Sequence, residues 1–109
     1  MVPRGTPTYP LEGIQTAARD GRYVVTRRAA GDAASFLFDE DDIRQCVLGL
    51  AHRDFYKTMA SRRIKGLWQD VYRCRYLAIA IYTKLQMTAD GRAVVISFKR
   101  DESAQRAGG

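Results

Sequence analysis

Cysteine, histidine and proline are all scarce in this chain, and each scarcity excludes something. Two cysteines, Cys46 and Cys74, are too few for a disulfide framework or a thiolate zinc site. The single histidine, His52, removes any chemistry that needs paired imidazoles. It follows Leu50-Ala51 and precedes a predicted helix, so it reads as a surface or capping residue. The prolines are Pro3, Pro7 and Pro10 only, which marks residues 1–9 as an extended, flexible arm. No apolar run approaches the roughly 18 residues that span a bilayer; the longest lies near Leu77 to Ile81. No charged-then-apolar leader opens the chain. A Gly-rich phosphate loop, a paired-cysteine motif and a nucleophile-elbow serine are missing too. The expectation is a soluble, cytoplasmic protein of a reducing compartment, with no membrane partner.

Acidic residues are also in deficit. Twelve Asp and Glu face 18 Lys and Arg, for a net charge of +6 and a pI near 9.7. That balance points to a polyanion, with nucleic acid ahead of a membrane surface. Fourteen of the 18 basic residues are Arg, the side chain suited to bidentate phosphate and base contacts. At 109 residues and 46% hydrophobic content, one globular domain over 1–109 is expected.

Along the chain, helical spacing comes first. Pro10 suits a first helical turn; Leu11, Ile14, Ala17 and Ala18 recur on one face, and Gly21 is a stop. Tyr23-Val24-Val25 is a short apolar stretch. Thr26 can cap a second helix running to about Leu37. The acidic run Asp39 to Asp42 suggests a metal less than it suggests a helix N-terminus, where carboxylates complement the dipole. Ile43, Cys46, Val47 and Leu50 then form a buried stripe, with Cys46 a core thiol. Ala51 to Ala60 reads as one more short helix.

From Leu67 the period changes to two, in a stretch rich in Val, Ile, Tyr, Trp and Phe. Three strands are expected at about 67–75, 77–87 and 93–100, with Asp90-Gly91 turning the last two into a hairpin. Residues 101–109 are polar and small and are expected to fray. Helices followed by strands predict an α+β fold, with N-terminal helices packed on a three-stranded antiparallel sheet. Parity sends Trp68, Tyr72, Leu77, Ile79, Ile81, Thr83, Leu85, Met87, Val94, Ile96 and Phe98 to the core. Asp70 falls on that apolar side, where parity gives it no role. The opposite face collects Gln69, Arg73, Arg75, Tyr82, Lys84 and Lys99, without a carboxylate. Such a face suits a phosphate backbone and a stacked base. The bland alternative is an ordinary solvated sheet face.

Three segments carry a family resemblance: Asp54-Phe55-Tyr56-Lys57-Thr58-Met59, Trp68-Gln69-Asp70-Val71-Tyr72-Arg73 and Val95-Ile96-Ser97-Phe98-Lys99. Together they resemble the motility quorum-sensing regulator (MqsR) toxins of type II toxin–antitoxin systems, from about Thr6 to Lys99. The resemblance implies a RelE-like fold and cleavage of single-stranded mRNA without a metal or cofactor, independently of the ribosome, at GCU-like sites. It implies catalytic roles for Lys57, Gln69, Tyr82 and Lys99, and RNA recognition by Tyr56, Met59 and Arg73. Arg75 and Lys84 join the recognition set by their place on the basic face. The implied partners are mRNA and a zinc-binding, DNA-binding antitoxin. Two departures stand out. Cys74 lies where the best-known member has proline, and Ser61-Arg62-Arg63-Ile64-Lys65 is unusually basic; it adds phosphate contacts or is only a solvated charge run.

RNA carries its own nucleophile, the 2′-OH, so an enzyme need only orient it, accept its proton and stabilise the phosphorane. Lys57, Lys99 and the arginines would supply charge; Tyr82 and Gln69 would hold the phosphate or the 2′-OH. Tyr56 offers a stacking surface, with Met59 on the same side of the expected short helix. The rival readings are an RNA-binding domain without catalysis and a protein that only binds a partner. The second leaves the basic face unexplained.

Overall fold

A computed structural model describes residues 5–102. The element order is α1 (Leu11–Arg19), β1 (Tyr23–Val25), α2 (Arg27–Ala34), α3 (Glu40–Leu48), a 3-10 turn (His52–Asp54), β2 (Phe55–Ala60), β3 (Trp68–Tyr76), β4 (Ile79–Met87) and β5 (Ala93–Arg100). The α+β class stands, but the expected three-stranded antiparallel sheet does not. The sheet has five strands in the order β1-β5-β4-β3-β2, and β1 runs parallel to β5. Two segments account for the difference. The Tyr23–Val25 stretch, too short to read as a strand alone, pairs with Ala93–Val95. The segment expected as a fourth helix, Ala51 to Ala60, is a single 3-10 turn followed by β2. In Phe-Tyr-Lys-Thr-Met-Ala, the aromatic and β-branched residues favour the pleated surface that β3 offers next to it.

The three helices start where their sequence signals place them, but α2 stops at Ala34, short of the expected Leu37, which is exposed at positive φ. Gly21, at φ 84°, takes the left-handed conformation just past α1. Thr26 accepts the amide of Ala29 at the start of α2. Asp39 and Asp42 form a reciprocal capping box on α3, which accounts for the acidic run. His52 stands at the surface, with Nε2 2.6 Å from Glu12. The helices contribute Leu11, Ile14, Ile43 and Val47 to a core closed from the sheet by Tyr72, Ile81, Leu85, Val95 and Phe98.

Parity is broken twice. A bulge between Lys84 and Leu85 pairs Lys84 with Ser97 but Leu85 with Val95, leaving Ile96 as the extra residue. Upstream of it the alternation inverts, so Ala93 and Val95 enter the core, not Val94 and Ile96. A second bulge pairs Phe55 with Tyr72 and Lys57 with Val71, leaving Tyr56 extra. Leu77 is no core residue either. It forms the β3–β4 turn with Ala78, both at positive φ (49° and 69°), and is 68% exposed. No Asn or Gly signals that turn, so sequence alone runs the strand through it.

Asp70 has a defined task. Fully buried, it accepts the amides of Thr8 at 2.9 Å and Tyr9 at 2.8 Å. The Tyr9 hydroxyl donates to the Trp68 carbonyl, and Thr8 Oγ1 lies 2.6 Å from Thr58 Oγ1. Thus the expected loose arm over 1–9 is pinned to β2 and β3 at residues 8 and 9; residues 1–4 lie outside the described segment. At the other end, Asp101 is buried, and its amide donates to the Ala80 carbonyl. Of the tail expected to fray over 101–109, residues 103–109 lie outside the described segment.

Candidate active site

The helices and the sheet close one core, and the sheet face turned away from that core carries the polar residues, with α2 reaching its rim through Arg28 and Asp32. Two adjacent rows organise it. In the first, Lys57, Val71, Lys84 and Ser97 stand in register across β2, β3, β4 and β5. In the second, Arg73, Tyr82 and Lys99 do so across β3, β4 and β5. Gln69, two residues before Val71, pairs with Met59 and shares the face. Three of the chain's four lysines therefore occupy one surface. Every residue expected to be catalytic (Lys57, Gln69, Tyr82, Lys99) is on it, and so are Met59, Arg73, Arg75 and Lys84.

The β2 bulge adds Tyr56. As a helical residue it would have aligned with Met59; as the extra residue of the bulge it projects beside Arg73 instead. Its ring lies 4.9 Å from the Arg73 guanidinium carbon, 5.4 Å from Lys57 Nζ and 6.4 Å, edge-on, from the Tyr82 ring. Lys99 Nζ lies 5.4 Å from the Tyr82 ring. These are cation–π separations, each worth about 0.5–1 kcal/mol at such exposed positions. They hold mobile amines over fixed rings. Tyr56 itself is half-exposed. Arg75 is further along β3, with Nη1 donating to the Ala78 carbonyl at 3.3 Å.

The face is concave. Gln69, Met59, Lys84 and Lys99 line an open depression of about 820 Å³ with Arg28 of α2 and Arg62 of the β2–β3 loop. A neighbouring depression of about 650 Å³ is lined by Tyr82, Lys99, Phe36 and Asp101. The basic run 61–65 thus contributes to the site through Arg62 and Arg63. Burial, then the like charges of Lys99, Lys57, Arg62 and Arg28, holds the Lys84 ammonium below the ordinary lysine range. Burial raises the Tyr82 phenol above its ordinary value, with Tyr56 and Asp101 adding and Arg73 opposing, so at neutral pH it is a hydrogen-bond donor.

The expected freedom from carboxylates does not hold. Asp32 of α2 and Asp101 reach the same depressions. Asp101 accepts from Arg73 Nε at 2.7 Å, which fixes the guanidinium against Tyr56. The alternation Ser97, Lys99 could have been extended two residues to find Asp101, which read as the start of the tail. Arg28 and Asp32 had no such signal, because a helix meets the strand ends only in the fold.

The chain's residues 6–100 match the family model described as motility quorum-sensing regulator, toxin of MqsA. The chain is 32% identical over 94 residues to the mRNA interferase toxin MqsR of Escherichia coli strain K12, covering 86% of this chain and 94% of that protein. A match of this extent, on a chain whose polar side chains gather on one face of the sheet, means that the protein belongs to the motility quorum-sensing regulator toxin family.

Proposed function

We propose that the protein is an mRNA interferase, the toxin of a type II toxin–antitoxin pair, which cuts single-stranded mRNA and so arrests translation and growth. The observation that carries this reading is the gathering of Lys57, Tyr82, Lys84 and Lys99 in two adjacent rows of one concave face, with Gln69 beside them, within a chain similar to a named mRNA interferase. A scissile phosphate over these rows meets amines on both sides and a phenol O–H beneath. Lys57 and Lys99 stabilise the non-bridging oxygens of the phosphorane, and Arg73 holds the neighbouring phosphate. Gln69 orients the 2′-OH without titrating. The 2′-oxygen attacks phosphorus, the bond to the 5′-oxygen breaks, and that oxygen takes a proton from water, so the products are a 2′,3′-cyclic phosphate and a 5′-hydroxyl end. Tyr56, beside Arg73, and Met59, beside Gln69, offer base contacts on either side of Lys57 along β2, and Arg75 extends the phosphate path.

Lys84 takes the 2′-OH proton. Its ammonium is disfavoured by burial and by the cations around it, so it gives a neutral amine at lower pH than a solvated lysine does. The sign follows: kcat/KM rises with pH as Lys84 deprotonates, through a midpoint below the ordinary lysine value. Lys84→Arg, charged throughout, is expected to lose that rise while keeping salt-sensitive RNA binding. A rise of unchanged midpoint in Lys84→Arg would assign the proton elsewhere.

The reaction needs no metal or cofactor in this scheme, because the nucleophile belongs to the RNA and the charge to the side chains. The cleavage sites are GCU-like, ribosomes are not required, and the protein works in the cytoplasm. A zinc-binding, DNA-binding antitoxin restrains it. Among the described residues no helix is long and apolar enough to cross a membrane. The test is to incubate the full chain with a defined single-stranded RNA in EDTA and map the new 5′ ends. Discrete 5′-hydroxyl ends after recurring triplets are expected. Salt-sensitive binding without new ends would leave an RNA-binding protein, and ends that appear only with added divalent cation would remove the amine-based scheme.

A further inference from the structure

The two cysteines, 28 positions apart in sequence, meet on the helix side of the sheet: Cys46 Sγ of α3 lies 3.4 Å from Cys74 Sγ of β3, and both are free thiols. We propose that Cys46 and Cys74 are a peroxide-responsive dithiol that closes into a disulfide stapling α3 to β3. A disulfide needs its sulfurs about 2.05 Å apart, so the pair closes with little more than about 1 Å of movement. Two thiols from distant elements need not meet in so small a core.

Access is asymmetric, as a sensing pair requires. Cys46 is buried at 3% exposure. Cys74, packed against the edge of that core, is only half-buried. The pairing of β2 with β3 ends at Phe55 and Tyr72, which leaves the β3 edge beyond Tyr72 without a β2 partner. The hydrogen bond from Cys46 lowers the Cys74 thiol below its ordinary range, while that bond and burial push the Cys46 thiol up. Cys74, the more exposed of the two, is the attacking thiolate, and Cys46 the resolving thiol. The Cys74 sulfur attacks one peroxide oxygen, the O–O bond breaks and hydroxide leaves, giving a sulfenic acid and, with a proton, water. The Cys46 sulfur then attacks the Cys74 sulfur, the S–O bond breaks, and the departing hydroxide takes the Cys46 proton. Two thiols are oxidised by two electrons, and one peroxide becomes two waters. The Cys74 side chain lies on the sheet face opposite Arg73 and Arg75, so the staple forms behind the RNA face and does not depend on the proposed cleavage.

The test uses the reduced full chain and hydrogen peroxide, followed by alkylation and peptide mass analysis. Alkylatable thiol is expected to fall from two per chain to near none, with an intramolecular Cys46–Cys74 peptide two hydrogens lighter, reversed by dithiothreitol. The oxidised chain is expected to melt several degrees higher than the reduced chain. Cys46→Ala is expected to stop at a Cys74 sulfenic acid that dimedone traps, and Cys46→Val serves if the alanine variant does not fold. Persistent alkylation of both thiols, cross-chain dimers alone, or Cys74 sulfinic acid without the bond would each overturn the proposal.

Discussion

Lys57→Ala and Lys99→Ala are each expected to slow RNA cleavage on the order of 100-fold or more while the fold persists. The rate falls because the phosphorane gains negative charge that the ground state lacks, and each amine is held where that charge develops. Lys57 is placed by register opposite Val71 and by its Tyr56 contact, and Lys99 by its register opposite Tyr82 and its ring contact there. The fold persists because both side chains lie outside the core cluster. Substitutions of that kind usually shift stability by about 0.5 kcal/mol or less. Single-turnover cleavage of a short RNA, beside circular dichroism of each variant, checks both halves. The double variant should lose less than the product of the two single effects, since both amines act on one phosphate. A full rate in either well-folded single variant would place the reacting phosphate elsewhere on the face.

Asp70→Ala is expected to be the most damaging single change to stability outside the apolar core, at about 3 kcal/mol. The carboxylate is fully buried and accepts two backbone amides, from Thr8 and Tyr9. Its removal leaves both donors without their acceptor and opens a void beneath β3. It also releases the Tyr9 hydroxyl contact to Trp68 and the Thr8 contact to Thr58. Charge-assisted bonds of this kind are about twice as strong as neutral ones. For a domain of this size the loss corresponds to a fall in Tm of more than about 10 °C. Asp70→Asn should fall between, because an amide offers one acceptor oxygen where the carboxylate offers two. Urea unfolding of the three proteins measures the series. A loss below about 0.5 kcal/mol in Asp70→Ala would show that residues 8 and 9 are held by something else.

The difference between expectation and structure has a consistent physical pattern. Local signals were legible: the apolar period of α1, the Thr26 cap, the Asp39–Asp42 capping box and the Gly91 turn at φ 84° are all determined within a few residues. Features without a local cause were misread. β1 is three residues long and is a strand only because β5 lies beside it. β2 carries spacings that a helix could use, and the β3 edge decides against it. The bulges at Tyr56 and Ile96 invert alternation partway along a strand, which no count by twos can register. Asp70 read as a misfit because its partners are about sixty residues away in sequence.

The same division runs through the site. Sequence by itself determined that Gln69 shares a face with Arg73, and Tyr82 with Lys84, because alternation within a single strand is a covalent property of the extended chain; the apolar side chains opposite each pair marked both faces as the outer one. The likeness to a toxin family added Lys57, whose face could not be read while its segment looked helical. Only the tertiary structure decided that Lys57 and Lys99 flank Lys84, that Asp101 holds Arg73, and that α2 supplies Arg28 and Asp32 at the rim. Those relations depend on strand order and register, which are set by how the whole core closes rather than by any neighbouring residues along the chain.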